Sequence, residues 1–161
     1  MRHFFLIILF SLNYGQFSME SNPKSFTSEL DQKIAVFQTP HINLNQILSE
    51  DQIDKNNGLP YKFGHSIPVD INFLDFATCD FLENGDKIFR LKIFSPEAYS
   101  INMIFDNFFL PIGSELFMYN KNYSDVIGAF THRNNKTYHR FSTAPVSGEE
   151  LIIEYYEPKN S

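Results

Sequence analysis

The chain has 161 residues, of which 43% are hydrophobic and 20% charged. That allows one folded domain with a real core plus some leader sequence, and it excludes a disordered chain. A formal net charge of −6, with 13 Lys+Arg against 19 Asp+Glu, excludes non-specific nucleic-acid binding, which needs a basic surface.

Residues 1–16 have the layout of a secretory signal peptide. Arg2 and His3 form a short positive start, Phe4 to Leu12 an apolar run, and Asn13 to Gln16 a polar end with a small residue at Gly15. The run is too short to span a bilayer as a helix. Cleavage near Gly15 or Gln16 places the product outside the cytoplasmic membrane, secreted or periplasmic, with no membrane attachment afterwards. Residues 17–59 read as a polar arm. Ile34 to Phe37 suggests an edge strand, and Leu44, Ile47 and Leu48 recur at helical spacing. A short helix over Leu44 to Lys55 follows, stopped by Asn56-Asn57-Gly58.

From residue 60 to 158 the period changes to two, the signature of strands. Ile67, Val69, Ile71 and Phe73 alternate with polar residues or Pro68. The single cysteine, Cys79, is expected half-buried on or beside a strand. After a turn at Glu83-Asn84-Gly85-Asp86, Phe89, Leu91 and Ile93 alternate with Arg90 and Lys92. Further runs are Ile101 to Phe105, Leu116 to Tyr119, Val126 to Phe130, a short piece at Arg140 to Ser142, and Leu151 to Tyr156. Short strands, regular turns and no long helical pattern predict an all-β antiparallel sandwich, jelly-roll-like, with a short helix before it. Eighteen Phe without any Trp point to aromatic core filling more than to sugar stacking.

The residues that carry chemistry are sparse. His3, His41, His65, His132 and His139 fall into no tight metal-ligand pattern. No GxSxG elbow and no Gly-Asp-Ser-Gly segment is present. Asp70, Asp75, Asp80, Glu83 and Asp86 form a loose acidic group that could hold Ca²⁺, but the spacing does not match an EF-hand and solvated turn carboxylates are the better explanation. His132 and His139 flank a polar loop. Asn122-Tyr123-Ser124 and Asn135-Lys136-Thr137 fit the glycosylation pattern and mark exposed loops. Of Tyr155 and Tyr156, adjacent on a strand, at most one shares a face with Ile153. No catalytic, cofactor-binding or metal residue is assigned.

The segments Pro60-Tyr61-Lys62-Phe63-Gly64 and Ile67-Pro68-Val69-Asp70 resemble the N-terminal region of secreted trypsin-like proteases of the lysyl endopeptidase type from Bacteroidetes. The resemblance continues through Gly85 to Ile93, Ser95-Pro96, Ala98 to Asn102, Ile104 to Pro111, Gly113 to Asn120, Val126 to Thr131 and Glu154 to Pro158. Phe89 stands where such proteins often carry Trp. The resemblance implies a pro-region or accessory β-domain that precedes the catalytic domain. The family's triad lies downstream, so no catalytic residue carries over, and residues 159–161 read as a tail leading toward an absent protease domain. The expectation is a non-catalytic module that assists or restrains a trypsin-like protease domain in cis or in trans. The alternative is a stand-alone secreted binding module for a glycan or a cell-envelope protein.

Overall fold

The runs from Phe89 to Ile93 and from Leu151 to Tyr156 become the centre of one sheet in the computed structural model, which describes residues 17–30 and 33–160. The leader read over residues 1–16 lies outside the described residues. No helix among those described is long and apolar enough to cross a membrane. Strands β3 (Lys87–Phe94) and β10 (Glu150–Glu157) pair antiparallel along their whole length, from Lys87 opposite Glu157 to Phe94 opposite Glu150. On the other side of β10 lies antiparallel β6 (Glu115–Asn120), and beyond it β7 (Val126–Phe130). The outer edge of β3 is shared. Strand β2 (Thr78–Phe81) pairs antiparallel with its first half, and β1 (Ala35–Gln38) pairs parallel with its second. The Ala35 N–H donates to Thr78 Oγ1 (2.8 Å), which joins the two short strands end to end.

One face of this sheet carries the main core. Leu91, Ile93, Leu116, Met118, Phe130, Leu151, Ile153 and Tyr155 point into it. The opposing layer is built from two small ribbons and their loops. Strand β4 (Ser100–Ile101) pairs with β9 (Val146–Ser147), and β5 (Ile104–Phe105) with β8 (Phe141–Ser142). Phe108 stacks on Phe141 at 4.4 Å, and Phe130 meets Phe141 edge-on at 4.9 Å. These phenylalanines serve packing between layers, whereas Phe63, Phe81 and Phe109 stay exposed. The fold is all-β and sandwich-like, with a short helix ahead of most of the sheet.

Helix α1 (Leu44–Asn56) lies where the spacing of Leu44, Ile47 and Leu48 predicts it. Asn43 caps it, its side chain accepting from the Gln46 N–H (3.2 Å), and none of its residues is buried. Residues 67–73 differ from the expectation. They form no strand, and a one-turn helix α2 (Phe73–Phe76), capped by Asn72, takes over at the end of the run instead. Alternation supplies a side to bury, but a strand also needs a neighbour for its backbone. Strands β1 and β2 already occupy that edge of β3, and Pro68 has no N–H to give. Val69 accordingly stays 45% exposed.

Candidate functional site

The second face of the sheet is lined by alternate residues of the same strands. These are Arg90 on β3, Ile152, Glu154 and Tyr156 on β10, Glu115, Phe117 and Tyr119 on β6, and Ala129 on β7. Residues 18–28 of the arm lie across this face. At β7, Met19 exchanges both backbone hydrogen bonds with Ala129 (3.0 and 3.3 Å), the closely spaced pair of an antiparallel ladder. The Ser18 hydroxyl donates to the Gly128 carbonyl. Gly128 sits at φ +119°, and a Cβ there would stand 2.6 Å from the Leu116 carbonyl oxygen. Only glycine lets β7 approach β6 this closely.

Further along, Pro23 is fully buried, and a turn of 3-10 helix (Lys24–Phe26) presents two polar residues to the sheet. Lys24 Nζ reaches Glu115 Oε2 at 2.8 Å and lies 5.0 Å from the centre of the Tyr156 ring. The Ser21 hydroxyl donates to the same carboxylate (3.3 Å). The Ser25 N–H donates to Glu154 Oε1 (3.1 Å), and Ser25 Oγ lies 3.0 Å from the Tyr119 hydroxyl. That hydroxyl donates to Glu154 Oε2 (2.8 Å). Phe26 closes the group, edge-on to Tyr119 (5.2 Å) and Tyr123 (4.8 Å).

Glu154 has no solvent exposure at all. A carboxylate so placed must be hydrogen-bonded and charge-compensated. Arg90 lies directly opposite it in the ladder, is itself buried, and pairs with Asp80 at 2.8 Å. Desolvation, with the Glu154 charge second, pushes Tyr119 far above the ordinary tyrosine range, so its proton stays in place as a donor. Tyr156 is pushed up to about 12 by burial first and then by its bond to Asp86 (2.5 Å). The same bond, with the Lys159 N–H second, holds Asp86 below the usual carboxylate range. The face is thus a polar trough over an apolar floor of Phe117, Ala129 and Ile152. Its chemistry is that of holding a cation, a hydroxyl and an extended backbone.

The residues singled out in the sequence lie elsewhere or apart. Asp80 pairs with Arg90 and Asp86 with Tyr156 and Asn84, while Asp70 and Asp75 are exposed. No group of three or more His, Cys, Asp or Glu among the described residues could hold a metal ion. His41, His65, His132 and His139 are exposed, and His3 lies outside the described residues. Cys79 is on strand β2 but exposed rather than half-buried. It stands on the edge, where its side chain has a neighbour on one side only. Asn122 is exposed, but Asn135 is tied down, accepting from the Leu110 N–H (2.9 Å) and donating to its carbonyl (2.8 Å). Tyr155 joins Ile153 in the main core, and Tyr156 faces the arm. Sequence reasoning did not single out Glu154, Tyr119 or Arg90 as a group. The signal that points to them is the long apolar run around Glu154 on a strand, which implies cover on both faces.

Compared with known proteins, the chain matches no family model, and no solved structure matches it significantly.

Proposed function

We propose that this chain is a non-catalytic, exported β-module that accompanies a trypsin-like serine protease of the lysyl endopeptidase type and assists its folding or restrains it. The ordered resemblance over residues 60–158 carries this reading. Most of its segments fall on β3, β6, β7 and β10 and on the loops over the core face, while those at 60–64 and 67–70 fall on an irregular, mostly exposed stretch, so the resemblance points to a folded framework. A pre-folded sheet of this kind supplies a rigid surface against which a second domain can settle, which is what a folding template or a cleft-blocking partner requires.

Refolding a protease domain of that family from denaturant, with and without an equimolar amount of this chain, tests the proposal. The expected result is a higher yield of active protease, or slowed hydrolysis of a lysyl peptide substrate by the folded enzyme. If neither yield nor rate moves over a hundredfold range of added chain, the proposal fails.

A further inference from the structure

We propose that residues 18–28 are a detachable strap, and that the trough beneath them is a recognition surface for an extended, lysine-bearing peptide segment, which the chain's own arm occupies in cis. The inference goes beyond the protease reading and does not depend on it.

Three features of the trough carry it. The first is an open sheet edge. Strand β7 ends the main sheet, and the two Met19–Ala129 bonds show that it accepts an added antiparallel segment. Addition to a free edge is a general mode of peptide capture, with backbone bonds providing affinity and side-chain contacts providing selectivity. The second is charge. Glu115 and Glu154 lie on adjacent strands of one face, and the lysine that meets Glu115 is further held over the Tyr156 ring. The third is a geometric filter between the two carboxylates. Glu154 is reached by a backbone N–H and Tyr119 by a small hydroxyl, so the residue after the lysine must be small and polar.

The arm is also bound lightly for something that covers a core face. Pro23 is its fully buried residue, whereas Phe17, Met19 and Phe26 remain 53%, 46% and 40% exposed. Its other ties are the Met19–Ala129 pair, hydrogen bonds from Ser18, Ser21 and Ser25, and one ion pair, each worth about 1 kcal/mol net apart from the bond to buried Glu154, worth about 1.5–3 kcal/mol. Such a segment opens at far lower free energy than the sheet beneath it. A competing segment therefore has to outbid only the local tether, whose effective concentration is in the millimolar range for a short linker.

A charge exchange between arm and trough tests this in the full chain. The probe is a fluorescent peptide with the sequence of residues 17–28, read by anisotropy. With the unaltered chain the cis arm competes and binding is weak. Lys24→Glu in the chain sets two acids against each other and frees the trough, and the peptide is expected to bind at least tenfold more tightly. The double variant Lys24→Glu with Glu115→Lys restores the cis pair with reversed signs, and the same peptide is expected to lose that gain. A matched peptide carrying Glu at the lysine position should be rejected by the single variant. Circular dichroism confirms that each variant is folded. Equal affinity of the peptide for the unaltered chain and the folded Lys24→Glu variant overturns the proposal. So does binding that is indifferent to the sign of residue 115.

Discussion

Replacing Tyr119 by Phe isolates the polar part of the buried trough from its packing. The ring keeps its edge contacts with Phe26 and its place beside Tyr123, so no cavity of consequence forms. What is lost is the hydroxyl that donates to Glu154 Oε2 at 2.8 Å and lies 3.0 Å from Ser25 Oγ. A hydrogen bond to a charged, fully buried acceptor is worth about 1.5–3 kcal/mol, because its removal leaves the carboxylate short of a partner. The neutral contact with Ser25 adds up to about 1 kcal/mol. The expected loss is therefore about 1.5–4 kcal/mol, or roughly 5–12 °C in Tm for a domain of this size. Urea denaturation followed by far-UV circular dichroism measures it, with the midpoint falling and the slope unchanged. Tyr123→Phe is the control. That residue belongs to the same aromatic group but is 58% exposed, and its change should stay within about 0.5 kcal/mol. Glu154→Gln completes a cycle in which the two substitutions couple by at least about 1 kcal/mol. A Tyr119→Phe loss under about 0.5 kcal/mol, or strict additivity with Glu154→Gln, would refute the view that this network organises the face.

The same tyrosines set an alkaline limit. Tyr119 and Tyr156 both hold their protons in the folded state above the ordinary value of about 10, so the unfolded chain releases protons first. The contribution of Tyr156 is complete below pH ~10 and is lost as pH rises through about 12, where it titrates in the folded form, while that of Tyr119 declines over the same range and beyond. Tyr119 alone accounts for a slope of about −1.4 kcal/mol per pH unit in that window, and chemical denaturation from pH 9 to 11.5 should show it flattened by Tyr119→Phe. Gly128→Ala should cost at least about 2 kcal/mol, since φ +119° is strained for any side chain and the new Cβ meets backbone at 2.6 Å; a change in thermal stability of less than 2 °C would contradict this. Asn43→Ala removes the cap of a helix with no buried residue, so it should lower the helical signal at 222 nm through a local loss of about 1 kcal/mol while leaving the main unfolding transition in place. A parallel fall in the main transition would mean that α1 is tied to the sheet after all.

How far the sequence discloses this molecule depends on whether a residue's role is local. Strand β3 is legible because period two, a turn at Asn84-Gly85 and β-branched or aromatic residues all agree, and β10 because a short, nearly unbroken run of such residues follows the turn at Ser147-Gly148. Helix α1 is legible because capping and spacing act within a dozen residues. The alternation at Ile67, Val69, Ile71 and Phe73 looks the same on paper, but it has no strand partner, since the edge it needs is filled by β1 and β2. That outcome is decided partly by β1, some thirty positions earlier, and partly by β2 just downstream. The trough fails to announce itself for a related reason. Arg90 reads as the outward member of an alternating strand, yet it is buried, because a segment more than sixty positions earlier in the chain covers that face. One trace of the cover is nonetheless present. From Leu151 to Tyr156 only Glu154 interrupts the apolar run, and from Leu116 to Tyr119 nothing does. A sheet wetted on one face would carry a polar residue at every second position there. A lone acid in such a run needs partners, and Ser25 from the arm and Tyr119 from β6 supply them, with Arg90 opposite in the ladder.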